Sequence, residues 1–394
     1  MMKYDSVTEL LQMMVQHDTV TTPVSGKAYA EANLGKALGI CAQEMGLTVA
    51  YQPTVDGYAD NVMVSYEVDA SKPWLIFDSH MDTVGTIGMT IEPFSGTLKN
   101  GSVWGRGSSD TKGTGACALW ALHKYMEEGK KPFNVAVLFT VNEEEGMVGA
   151  KTFATRDYSQ IDGDVLGIVV CEPTDCTPII AHNGTGRYKI TTRGKSVHSS
   201  VPNRGKSAIS AMVSVIDALE QNYIPTLDRE DAVTGKAAMS INVIRGGDSV
   251  NIIPDQCEAW VDRRLVPGES ADVELARLND FLKELATKHA GLEVSIEMEN
   301  ATPPLPQSKN GRLLKLIEQV RSEMGLTEAP YGAPFATNGA HYAELDCDVV
   351  VIGPGDITQA HTKDEHITVS ALEVGVKLYL GMMQGGENEA VIGI

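Results

Sequence analysis

The chain is 394 residues long, 43% hydrophobic and 21% charged, with a formal net charge of -20 at pH 7. Single hydrophobic cores stop growing near roughly 250–300 residues, so two domains are expected. No apolar run approaches the ~20 residues that span a bilayer, and an acidic balance without a basic stripe argues against nucleic acid as a partner.

In chain order, residues 1–14 alternate charged and apolar positions and read as an amphipathic helix rather than a secretory leader. Cys41, Cys117, Cys171, Cys176, Cys257 and Cys347 show no paired spacing, which fits reduced thiols. A cytoplasmic location follows as the expectation.

Runs rich in β-branched residues at 61–68, 73–78, 134–141, 165–170 and 347–352 read as buried strands, separated by helical patterns such as 112–128. That alternation predicts an α/β fold with parallel strand pairs. Between about 184 and 299 the order changes: strand 187–192, helix 207–221, strands 238–244 and 256–265, helix 271–290, strand 292–297. This is the βαββαβ order of a ferredoxin-like domain. The expected organisation is a discontinuous first domain, 1–183 and 300–394, with 184–299 inserted into it.

Polar residues wait where the predicted strands end, and in open α/β sheets the functional crevice lies at those carboxyl ends. Strand 73–78 runs into His80 and Asp82, strand 134–141 into Glu143, Glu144 and Glu145, strand 165–170 into Glu172, and strand 347–352 leads on to His361. Asp110 sits in a glycine-rich loop that opens a helix, where an aspartate also reads as a helix cap. A glutamate triplet alone reads as a solvated loop, and His361 alone as a loop histidine. Together, two histidines and several carboxylates at the ends of different strands suit divalent ions such as zinc, and one carboxylate shared between two ions would make a two-metal site. A free carboxylate beside it must then take the proton of the attacking water, and the adjacent Glu143 and Glu144 can divide those two roles.

Five segments in order now resemble a known family: Ser79-His80-Met81-Asp82-Thr83-Val84; Gly105 to Gly113, around Ser109-Asp110-Thr111-Lys112; Glu143 to Ala150; Cys171-Glu172-Pro173-Thr174; and Gly353-Pro354-Gly355 followed by Ala360-His361. They resemble the zinc metallopeptidases that include acetylornithine deacetylase, succinyl-diaminopimelate desuccinylase, aminoacylase and glutamate carboxypeptidase. The resemblance implies a zinc-peptidase-like catalytic domain of mixed sheet and flanking helices. It implies two divalent ions, zinc with cobalt or manganese as alternatives. His80, Asp110 and Glu172 would hold one, and Asp110, Glu144 and His361 the other. Asp82 would orient His80, and Glu143 would be the general base.

The resemblance extends into the inserted domain through Gly194 to Pro202, Gly246 to Pro254 and Asp262 to Gly268. It implies that this domain forms a homodimer, that His198 reaches the partner's active site to stabilise an oxyanion, and that Asn251 and Arg264 bind the polar ends of the substrate. Thr337 is a further candidate substrate contact. Asn338 stands where relatives commonly carry an acidic residue, which would weaken binding of an ammonium such as that of ornithine. His366 stands where relatives often carry tyrosine. The expected activity is deacylation of an N-acyl amino acid, with a di- or tripeptidase or carboxypeptidase as the rival enzyme, and a metal-binding protein without catalysis as the rival of another class.

Overall fold

Strands Trp74–His80 and Asn134–Thr140 are buried along their whole length, the pattern of strands covered on both faces. They lie in a sheet that, among the described residues, has eight strands, ordered Thr48–Gln52, Asn61–Tyr66, Asn134–Thr140, Trp74–His80, Val165–Val170, Asp348–Val351, Ile179–His182 and Tyr331–Ala333. The third to sixth strands of that order run parallel. Thr48–Gln52, Asn61–Tyr66 and Asn134–Thr140 pair antiparallel, as do Asp348–Val351 and Ile179–His182. The sheet is therefore mixed, with helices packed against it. This computed structural model describes residues 4–289 and 291–387. Residues 1–3, 290 and 388–394 lie outside the described residues; they fall in the expected first helix, the expected helix 271–290 and the end of the expected catalytic domain.

Parallel strands bring their carboxyl ends to one edge of the sheet, and the register aligns them. His80 pairs with Thr140, Asp78 with Val170, and Val351 with Val170. The segments that follow these strands therefore leave the sheet at nearly one level. Helix Lys112–Glu127 is buried on nearly all sides. A Cβ at Gly115 would lie 2.6 Å from Ser79 Oγ and 3.1 Å from Phe139 Cε1, so the missing side chain lets the start of this helix rest directly on the strand that carries His80.

The chain divides into two compact units: Met1–Ile180, Gln307–Tyr331 and Thr337–Ile394 form one, and Ala181–Pro306 with Gly332–Ala336 the other. The second holds an antiparallel sheet ordered Ala238–Gly246, Gln256–Leu265, Gly184–Arg193, Glu293–Thr302, with helices Ala208–Ala218 and Ala271–Lys288 packed on it. The chain order is strand, helix, strand, strand, helix, strand, which is ferredoxin-like. Burial alternates strictly along Gln256–Leu265, yet one inward position is an arginine. Arg263 is fully buried and donates to Glu274 at 3.1 Å and Glu269 at 2.8 Å, the pairing a buried guanidinium needs. No helix among the described residues is long and apolar enough to cross a membrane.

Candidate metal centre

His80 is the last residue of its strand, two past Asp78, and Glu172 lies two residues past Val170, which the register pairs with Asp78. His80, Asp110 and Glu172 offer ligand atoms within 4.8 Å of one another, and so do Asp110, Glu144 and His361. Asp110 belongs to both groups. Its Oδ1 lies 3.2 Å from His80 Nε2 and its Oδ2 lies 3.4 Å from His361 Nε2. His361 Nε2 is also 3.0 Å from Glu144 Oε2. One carboxylate thus presents an oxygen to each side, the arrangement a bridging ligand needs.

The loops that carry these groups are held by carboxylates buried beneath them. Asp82 Oδ1 accepts from the backbone N–H of Glu143 at 2.9 Å and Oδ2 from that of Glu144 at 3.1 Å. His80 Nδ1 lies 3.0 Å from the main-chain oxygen of Asp82 and 3.5 Å from its carboxylate. Asp82 therefore fixes both the imidazole and the chain that presents Glu143.

Glu365 does the same for Asp110, and sequence reasoning missed it. Its Oε2 accepts from Arg106 Nη1 at 2.6 Å and Gly107 N at 3.0 Å, and its Oε1 from Ser109 N at 2.9 Å and Asp110 N at 3.0 Å. The spacing offered one faint signal, an acid four residues past His361, but nothing in the sequence joined it to a loop some 255 positions earlier. Glu365→Ala would leave the buried Arg106 uncompensated, which is expected to cost about 3–5 kcal/mol of stability. Denaturant unfolding checks this, and a loss below about 1 kcal/mol, the size of a surface pair, would remove Glu365 from the role.

The electrostatics of the site are those of anions in search of cations. Burial first, then neighbouring carboxylates, raise the carboxyl pKa of Glu143 and Glu172 well above the ordinary value and that of Glu144 above it. Burial works against the charged form of His80, but Asp110 and Asp82 outweigh it and raise its pKa. Burial also opposes ionisation of Asp110, and His361 and His80 overcome it, so its pKa is lowered. Glu144 Oε1 is buried without a hydrogen-bond partner. Five carboxylates and two imidazoles in one place, with an orphaned oxygen among them, fit divalent ions held by oxygen and nitrogen ligands. His361 and Asn142 both take left-handed backbone conformations, with φ of 60° and 58°. Such conformations are uncommon for residues other than glycine and cluster at functional sites.

The other expected residues belong to neither ligand group. Thr337 is buried in the first unit, and its hydroxyl accepts from Gly339 N at 3.2 Å. Asn338 is also buried, and its amide donates to Asp78 and to Thr140, each at 3.0 Å. A neutral residue at 338 thus faces an acid at 78. His366 stacks on Trp104 with ring centroids 4.1 Å apart.

In the second unit, His198 pairs with Ile252 in a short two-stranded ladder, and Asn251 O accepts from Ser199 N at 2.9 Å, so His198 and Asn251 are neighbours. The backbone N–H of Ser200 donates to His198 Nδ1 at 3.1 Å. That bond makes Nδ1 the acceptor and leaves the proton of the neutral ring on Nε2. Arg264 is partly exposed and pairs with Asp262 Oδ1 at 2.7 Å.

Residues 76–385 match the model of peptidase family M20/M25/M40. The chain is 30% identical over 280 residues to an acetylornithine deacetylase from Myxococcus xanthus, covering 70% of each. Among solved structures it is similar to an M20 family metallo-carboxypeptidase from Sulfolobus solfataricus, with a TM-score of 0.79 at 16% identity over 97% of this chain and 99% of that one. It is also similar to a dinuclear metal binding peptidase of the M20 family from Bacillus subtilis, with a TM-score of 0.71 at 15% identity over 96% and 98%.

Proposed function

The chain belongs to peptidase family M20/M25/M40 and is a hydrolase of amide bonds, and from that premise we propose that it removes an acetyl or succinyl group from an N-acyl amino acid. The observation that carries the two-metal part of this reading is Asp110, which turns one oxygen to His80 and the other to His361. His80, Asp110 and Glu172 would hold one divalent ion and Asp110, Glu144 and His361 the second. Zinc is the expected metal, with cobalt or manganese as alternatives. Bound there, the ions would polarise the scissile carbonyl and acidify the attacking water.

The rest falls to the chain's own residues. Glu143 takes the proton from the water on its carboxylate and returns it to the departing amine. Asp82 keeps the backbone of Glu143 in place while it does so. His198 presents Nε2–H, a donor suited to a developing oxyanion, and in a homodimer it would serve the site of the other protomer. Arg264 would receive the substrate carboxylate through its planar fork, with Asn251 and Thr337 as further contacts.

An exposed edge supports the homodimer: Ala238–Gly246 lies at the margin of the second unit's sheet with Val243 and Ile244 exposed, and Ile209 and Val213 are exposed on helix Ala208–Ala218. An open strand edge with apolar side chains is a surface that pairs. All six cysteines are thiols rather than disulfides, which supports a reducing compartment such as the cytoplasm.

The resemblance to acetylornithine deacetylase favours deacylation, and the test is a substrate panel. Zinc-loaded protein should release acetate or succinate from N-acetyl or N-succinyl amino acids and leave di- and tripeptides intact. Cleavage of peptides with silent acyl amino acids would overturn the deacylase reading in favour of a peptidase.

A further inference from the structure

We propose that Glu31 is a positioning residue for Glu143, its carboxylate fixing the left-handed turn at Asn142 from which the base is presented. Glu31 immediately precedes helix Ala32–Glu44 and is fully buried. Its Oε1 accepts from the backbone N–H of Asn142 at 3.2 Å. The next two amides, of Glu143 and Glu144, are taken by Asp82. Three successive N–H groups are thus captured by two buried carboxylates, and Glu31 takes the first of them.

Asn142 is where the chain turns. Its φ is 58°, its carbonyl accepts from Gly146 N and Met147 N, and its side-chain amide donates to Thr21 Oγ1 at 2.9 Å. A left-handed conformation persists only where the surroundings hold it. Asn142 is buried, so without Glu31 its N–H would be a buried donor lacking an acceptor, an arrangement that folded chains avoid. The turn would then relax and carry Glu143 with it. A base displaced by even an ångström loses much of its rate advantage.

A purely local reading of Glu31, an acid favoured by the start of its helix, would need only its charge. The geometry asks instead for an acceptor at a fixed reach. The second oxygen, Oε2, is buried with no hydrogen-bond partner. Burial first and the charge of Asp82 next push this carboxyl up to about 7, and glutamine, equal in length and with one acceptor oxygen, is its nearest neutral mimic.

The proposal rests on Glu143 being the base, and the experiment separates the two claims. Amide hydrogen exchange at 142–144, steady-state kinetics and metal content would be measured on metal-loaded Glu31→Gln and Glu31→Asp. The glutamine keeps an acceptor oxygen in reach, so slow exchange and a near-native kcat are expected. The aspartate is one methylene shorter, so faster exchange at these amides is expected, with kcat reduced roughly ten- to a hundredfold, KM little changed and metal content intact. The reverse order, aspartate better than glutamine, would mean that charge matters and would overturn the proposal. So would unchanged exchange in both variants, or metal lost in step with activity. Faster exchange with unchanged kcat would also overturn it, and Glu143→Gln measured in parallel would then show whether the base assignment had failed as well.

Discussion

Glu143→Gln is expected to lower kcat roughly 100- to 10,000-fold, the span that a positioned general base contributes, while the protein keeps its metal. The side chain is isosteric, and the two backbone amides that Asp82 holds are untouched by the change. The fold and the ligand groups should therefore survive. Glu143 stands in neither ligand group, whereas its neighbour Glu144 stands in one, so Glu144→Gln should do the reverse and weaken metal retention first. Kinetics paired with elemental analysis distinguish the two. Loss of metal in Glu143→Gln would make it a ligand, and full activity would remove it from the chemistry. Its carboxyl is raised by burial first and by its acidic neighbours next, which is how a glutamate becomes a proton acceptor that can also give the proton back.

His80, Glu144 and Glu172 were legible in the sequence because each follows a strong strand signal, whereas Asp110 was marked by its glycine-rich loop and His361 only by lying past the predicted strand 347–352. Trp74–His80, Asn134–Thr140 and Val165–Val170 are apolar runs buried on both faces, and a polar residue at the end of such a run is conspicuous. The inserted domain was legible for a similar reason: its strand-helix order is regular, and Gln256–Leu265 alternates with period two. The outer strands Thr48–Gln52, Ile179–His182 and Tyr331–Ala333 gave no such signal. They are short, and Thr48–Gln52 is largely exposed, so their place is set by neighbours distant in the chain.

The supporting carboxylates were illegible for a deeper reason. Glu31 and Glu365 carry the same side chain as any surface glutamate, and only the fold decides that one meets Asn142 across 111 positions and the other Asp110 across 255. Asn338 shows what local reading leaves out: as a neutral replacement it suggested a weaker grip on an ammonium, and the fold adds that its NH2 donates to Asp78 and Thr140 while its Oδ1 is buried without a hydrogen-bond partner. The substrate's charge is a matter for the panel.

Stripping divalent ions with a chelator is expected to abolish hydrolysis, and to make the stability of the protein fall as pH rises. The hydrogen bonds of Asp110 and Glu144 raise His361 from 6.5 to about 10, so its contribution to stability is complete below pH 6.5 and is lost as pH rises through 10. Glu143, Glu144 and Glu172 are raised as well, chiefly by burial. What they contribute is complete below their ordinary value of 4.5 and is lost as each is forced to ionise in place. Glu31, raised to about 7, behaves alike between 4.5 and 7. Asp110 has the opposite sign, being lowered from 3.8, but its contribution changes only in acid. These groups interact and titrate together, and above pH 6.5 their slopes point the same way; Lys112, lowered by burial from 10.5 to about 7, opposes them above 7, but as one group against several. Restored zinc should flatten the curve, because metal binding needs the ionised carboxylates and neutral imidazoles that the bare site resists. Thermal unfolding between pH 6 and 9, with and without zinc, should show a gap in Tm that widens with pH. A chelated protein whose Tm stays level or climbs over that range would mean that the cluster is balanced without ions, and the two-metal reading would fall with it.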